Sequence, residues 1–304
     1  MTTATPVTTT PPLVADKLSA SKIAKKRLSS PWASLAAIVL AVLWTLPTFG
    51  LLVSSFRPER AIKTTGWWTF FSNPTLTLDN YRGVFGEDGG VNLAAFFVNS
   101  LIICIPSVLI PLSLAALAAY AFAWMNFPGK NVLFLIVFSL QIVPLQVTLI
   151  PLLEIFVNVK LTGTFWTLWL SHSTFALPLA IYLLHNFMKE IPSGLIEAAR
   201  VDGAGHVSIF FKVMLPLLTP ALAAFGIFQF LWVWNDLLVA LVFAGGGDEV
   251  APITLQLANL SGTRGTAWQL LSAGAFVSII VPVTVFLLLQ RYFVRGLLAG
   301  SVKG

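Results

Sequence analysis

Charge is what this chain has least of. Of its 304 residues only 10% are Asp, Glu, Lys or Arg, while 57% are hydrophobic and the mean hydropathy is +0.87. A soluble domain carries roughly 25% charge, so a water-soluble globular fold is excluded. Cysteine is almost missing: Cys104 stands alone, and no intrachain disulfide can form. No His, Cys or carboxylate set has metal-ligand spacing. No phosphate-cradling Gly-x-x-x-x-Gly-Lys-Ser/Thr loop occurs, because Gly129-Lys130 is followed by Asn131 and lacks the upstream glycine. Nothing pairs two carboxylates, and Ser, His and Asp lack the context of a nucleophile elbow. Chemistry done by this chain alone has no visible machinery.

What it has in abundance is long apolar runs. About 20 residues cross a bilayer, and six runs reach that length: Trp32 to Phe56, Phe96 to Trp124, Val132 to Val157, Phe165 to Phe187, Thr219 to Phe243 and Leu270 to Tyr292. Only Glu154 and Asp236 are acidic within them. The expected fold is an all-α membrane protein with six transmembrane helices over residues 32–292. Residues 1–31, rich in Thr, Pro and Ser, read as a disordered basic tail rather than a cleavable signal, since the apolar run that follows is too long. Residues 293–304 read as a second tail.

Lys and Arg stay on the cytoplasmic side of a membrane. Twelve of the 18 basic residues fall in the leader, the second and fourth loops and the C-terminal tail; six fall on the other side. Both termini and the loop at residues 188–218 are therefore expected in the cytoplasm. The net charge of +6 is mostly this bias, and a nucleic-acid partner is not implied.

Pro47, Pro106, Pro111, Pro144, Pro151, Pro178 and Pro282 interrupt the spans. Each removes a donor and bends its helix, which neighbouring helices or cavity water can tolerate. Ala115, Ala116, Ala118 and Ala119 permit close helix approach. Polar groups at membrane depth are costly and face the protein interior. They are Asn99, Gln141, Gln146, Glu154, His172, Gln229, Asn235 and Asp236. Trp232, Trp234, Asn235 and Asp236 cluster near one end of the fifth span. Aromatic faces beside amide and carboxylate groups suit a sugar, whose ring stacks while its hydroxyls need partners. Interfacial Trp anchoring with a structural Asn-Asp pair is the alternative. Gln141 joins the candidate substrate path, and His172 reads as a satisfied packing residue.

The polar island between the fourth and fifth spans carries the sharpest signal. Pro192-Ser193 makes a helix start, with Ser193 as a cap. A short helix then carries Leu195, Ile196, Glu197, Ala198 and Ala199, until Asp202, Gly203 and Gly205 break it. A second piece, His206 to Met214, is expected to end at Leu215-Pro216. Glu197-Ala198-Ala199, then Asp202-Gly203, then Leu215-Pro216 resembles the coupling loop of binding-protein-dependent ABC importer permeases. Trp234-Asn235-Asp236, Asn99-Ser100 and the ending from Arg291 to Gly304 resemble the carbohydrate branch of the maltose-transporter type. The string from Trp268 onward looks most like α-glucoside permeases.

The resemblance implies a type I ABC importer permease fold in the bacterial inner membrane. It implies a second homologous permease subunit, an ATPase subunit dimer, an extracytoplasmic sugar-binding protein and a sugar substrate, besides the surrounding membrane lipid. No cofactor is expected in this chain, ATP and Mg being bound by the partner ATPases. Glu197 would pair with a basic group of the ATPase, Ala198 and Ala199 would fill its groove, and Gly203 would permit the bend. A self-contained, gradient-driven transporter or channel is the rival, resting on the thin set of Glu154 and Asp236.

Overall fold

The computed structural model describes residues 31–86, 91–261 and 267–299. Every regular element among them is helical apart from one isolated bridge. The chain divides into a first unit ending at Leu51 and a second from Leu52 onward. The first unit holds most of α1 (Pro31–Ser55), whose apolar sequence extends over the whole helix.

The second unit opens with two short helices, α2 (Glu59–Thr64) and α3 (Asp79–Val84). Arg57, buried beside them, donates one guanidinium nitrogen to the Ala61 carbonyl and to the hydroxyls of Thr65 and Thr69. Asn80 donates to the carbonyls of Ser55 and Arg57 at 2.9 and 2.8 Å. Buried polar side chains thus fold this segment back on itself, since each would cost free energy without a partner.

The body is built on α4 (Leu93–Trp124) and α7 (Phe165–Lys189), which pack along their lengths. Ala115, Ala116 and Ala119 of α4 are buried in one cluster with Ala176 and Ala180 of α7. Side chains this small let the two backbones approach closely.

Two spans depart from the sequence expectation. The third is not one helix: α5 (Lys130–Ser139) runs on through a tight turn to Ile142, and α6 (Leu145–Asn158) leaves it at 105°. Pro144 is the cause. It lacks an amide proton, and a residue preceding proline is pushed out of the helical region; Val143 indeed sits at φ −71°, ψ 120°.

The fifth span starts earlier than expected and breaks near its end. α8 (Ser193–Val201) and a turn lead to α9 (His206–Ile209), a wide π-type turn over Phe210–Met214, and α10 (Leu215–Trp234). Leu215-Pro216 therefore does not end the second loop helix. The wide turn carries the chain through, with the Leu215 amide reaching back to the Phe210 carbonyl, and proline is tolerated in the first turn that follows. The result is one helical stretch from His206 to Trp234. After a break at Asn235–Leu237 comes α11 (Leu238–Phe243), then α12 (Ile253–Ser261) and α13 (Trp268–Ala299). The last helix continues past Tyr292 into the stretch read as a tail. The leader reading and the final residues 300–304 lie outside the described residues.

Candidate functional site

The loop helix α8 has two faces. Ile196 is buried, and so are Ile209 and Phe210 of the following piece; all three join the cluster formed by Tyr120, Met188 and Met214. The other face is open. Glu197, Ala198, Asp202 and Gly203 are exposed, Ala199 half so, and beside them stand Val201 at 87%, Val207 at 72% and Phe211 at 57% exposure. The loop is thus rooted by a few apolar side chains and open over the rest of its length.

The turn between the pieces is held by backbone. Gly203 N–H donates to Arg200 O and Ala204 N–H to Ala199 O, each at 2.9 Å. That pair of bonds, with a left-handed residue between, is the Schellman ending of a helix. Gly203 supplies it at φ +79°, a left-handed conformation that is strained for any residue with a Cβ even though the space around it is open. Ser193 differs from expectation: it is the first helical residue, Pro192 precedes it, and no side-chain cap bond forms.

The second candidate region is a groove opened by the broken third span. Its volume is about 760 Å³, and its walls include Gln141, Gln146, Thr148, Thr174, Trp232 and Asp236. Small-molecule sites usually fall between about 300 and 1,000 Å³. Gln141 and Gln146 present exposed amides. The Thr148 and Thr174 hydroxyls donate to carbonyls of their own helices at 2.7 and 2.8 Å, which leaves their oxygens free to accept. The Asp236 carboxylate takes the amides of Val239 (3.3 Å) and Ala240 (3.2 Å), capping α11, while its carbonyl takes the Thr254 hydroxyl at 2.6 Å.

The groove thus brings Gln141, Trp232 and Asp236 together, although Gln141 lies more than ninety residues away in sequence. It does not take in the other two members of the expected path. Trp234 is 1% exposed and sits between Phe97 and Phe230, its indole N–H donating to Ser278 O at 3.2 Å. It is a packing residue that ties α10 to α13. Asn235 is exposed outside the groove wall, its amide spent on Leu231 O at 2.7 Å.

Behind the wall, His172 is 2% exposed, edge-on to Trp232 with ring centres 5.5 Å apart. Its Nε2 lies 3.9 Å from Asp236 Oδ2, too far for a hydrogen bond, and its Nδ1 has no protein partner. The expectation of a satisfied packing histidine holds for the packing only. Glu154 is exposed and lies outside the groove.

Asn99 is the residue whose role the sequence did not show. Its amide donates to the carbonyls of Asp248, Glu249 and Ala251 at 3.1 to 3.3 Å, and the neighbouring Ser100 hydroxyl accepts from Ile253 N–H at 2.8 Å. Together they hold the glycine-rich segment before α12 against the start of α4. Spacing carries no signal for a contact between residues 150 apart.

Residues 112–298 match the family described as the binding-protein-dependent transport system inner membrane component. The chain belongs to this family. The permease is 54% identical to the osmoprotective compounds uptake permease protein GgtD of Synechocystis, over 88% of this chain and 91% of that one. It is 39% identical to the alpha-glucoside transport system permease protein AglG of Rhizobium meliloti, over 92% and 99%. It is 36% identical to the trehalose transport system permease protein SugB of Mycobacterium tuberculosis, over 91% and 99%. A bacterial ABC transporter for the acidic polysaccharide alginate shares its fold, with a TM-score of 0.69 at 19% identity over 88% of this chain and 98% of that one. The permease is accordingly the membrane component of a binding-protein-dependent ABC transport system, a transport subunit rather than an enzyme.

Proposed function

We propose that this permease forms one half of the pathway of an ATP-driven sugar importer and that its loop at residues 188–218 receives the force of ATP hydrolysis by partner subunits. The observation that carries this is the two-faced loop. Its inner residues, Ile196, Ile209 and Phe210, are rooted in the permease core, while Glu197, Ala198 and Asp202 stand exposed beside Val201, Val207 and Phe211. A rooted helix with an open apolar and acidic face transmits force to and from whatever grips it. Ala198 and Ala199 allow close contact there, and Glu197 offers charge to a basic partner.

The substrate we assign is a neutral sugar of the α-glucoside class, an α-linked disaccharide or a related compound. The names of the relatives support this, as does a groove that sets Trp232 beside two amides, two hydroxyls and one carboxylate. The partners are a second homologous permease, a pair of ATPase subunits and an extracytoplasmic binding protein. The bias of basic residues supports a cytoplasmic position for both termini and the loop.

The test is uptake of radiolabelled trehalose, maltose and methyl-α-glucoside by proteoliposomes. They would hold either the complex that copurifies with this chain, supplied with its binding protein, or this chain alone. Accumulation of at least one sugar only with the complex and internal ATP is the expected result. Uptake by the chain alone under a proton or sodium gradient would overturn the proposal.

A further inference from the structure

The helical stretch from His206 to Trp234 joins the two candidate regions. At 1.5 Å per residue its 29 residues span about 43 Å. One end is the second piece of the loop, and the other carries Trp232 to the groove wall, three residues before the break at Asn235–Leu237. Along this length it is fastened to α4 at three levels. At the loop end, the Tyr120 hydroxyl meets His206 Nδ1 at 3.0 Å, and the same ring packs edge-on to Phe210 at 5.4 Å. About three quarters of the way along, Gln229, buried, donates to Ser107 O at 3.3 Å, with Gly226 set close to Val108 and Leu112. At the groove end, Phe97 packs edge-on against Trp234 at 5.6 Å.

We propose that α4 and the His206–Trp234 helix move as one body that carries loop motion to the groove, and that Tyr120 and His206 are the positioning residues that fasten it at the loop end. This rests on the coupling role proposed for the loop. A wide turn is a weak place in a helix, because it interrupts the regular ladder of backbone bonds and is one of the places where helices kink. The π-type turn at Phe210–Met214 lies between the exposed loop face and the span. Motion applied at His206 would be lost by flexing there unless the helix start were tied to something rigid. Tyr120 supplies the tie. It is 4% exposed, it belongs to the longest packed helix pair of the body, and it touches both His206 before the turn and Phe210 within it. Aromatic packing alone holds distance. The directional hydrogen bond adds orientation.

The experiment uses the copurified complex in nanodiscs with its binding protein, in a Cys104→Ala background bearing the reporter Asn235→Cys at the groove end of the helix. The rate of fluorescein-maleimide labelling is measured with and without Mg-AMP-PNP for the intact joint, for Tyr120→Phe, for His206→Ala and for the double variant. With the joint intact, the nucleotide changes the labelling rate. Each single variant shrinks that change roughly fivefold, the order of one hydrogen bond, and the double variant is no worse than either single, because the two residues act as one unit. Subunit stoichiometry stays the same in all four. A full nucleotide response in the variants would overturn the joint while leaving the loop's role intact. So would independent, multiplying effects, or loss of assembly in His206→Ala, whose side chain is exposed. No nucleotide response with the joint intact would sink the coupling role itself, and the joint with it.

Discussion

At the scale of single residues, Gly203 and Trp234 illustrate two kinds of necessity. Gly203 holds φ +79° and donates its amide to Arg200 O. Proline can do neither, so Gly203→Pro is expected to abolish sugar-stimulated ATP hydrolysis by the complex while the chain still inserts. Alanine keeps the donor but pays about 1–2 kcal/mol for the left-handed conformation, so Gly203→Ala should retain part of the coupled activity. Normal stimulated hydrolysis in the proline variant would remove the loop from the coupling path. Trp234 is necessary for bulk. Replacing a buried Trp by Ala costs about 3–5 kcal/mol, and the Ser278 carbonyl loses its donor. Trp234→Ala should therefore show up as poor yield and early thermal aggregation in detergent. A stable Trp234→Ala chain with altered sugar uptake would return Trp234 to the pathway. Asn99→Ala frees three carbonyls at once, and faster proteolytic nicking between Gly245 and Ala251 is the expected readout.

At the scale of elements, the informative places are the two breaks. Both arise where a local group competes with the helix ladder. At Pro144 the competitor is the missing proton, and the 105° bend it produces opens the groove. At Asn235–Leu237 it is side-chain hydrogen bonding: Asn235 takes the Leu231 carbonyl and Asp236 takes the first amides of α11. Asp236→Asn keeps an acceptor for the cap but removes the charge from the groove. Uptake should fall while complex yield stays unchanged. Asp236→Ala also removes the cap, a further cost of about 1 kcal/mol, and should lower the melting temperature as well. Equal uptake by Asp236→Asn and wild type would mark the carboxylate as purely structural. The joint at Tyr120 belongs to this scale too, since it decides whether loop and span act as one element.

For the molecule as a whole, the distribution of basic residues and the open loop face bear on the same question. Cysteine labelling with a membrane-impermeant maleimide in intact spheroplasts should leave Asp202→Cys unmodified and modify Glu249→Cys, because the two exposed carboxylates lie on segments assigned to opposite sides. The reverse pattern would invert the orientation and remove Asp202 from any cytoplasmic contact.

Composition and motif alone were enough for the all-helical membrane class, for six crossings counted with the bent pair as one, and for the family, shown by the match over residues 112–298. These readings depend on quantities local in sequence: run length, charge placement and the spacing of Glu197, Asp202, Gly203 and Pro216. The split third span, the helix running through Leu215-Pro216 and the break after Trp234 were decided in the folded molecule. A proline in an apolar run is compatible with a kink, a break or an undisturbed first turn, and the choice depends on which partners stand nearby. The groove shows the same limit. Trp232, Trp234, Asn235 and Asp236 are neighbours in sequence, but the helix ending at Trp234 and the break after it turn them to different sides. Only packing determined that Trp232 and Asp236 meet Gln141 while Trp234 is buried against Phe97 and Phe230.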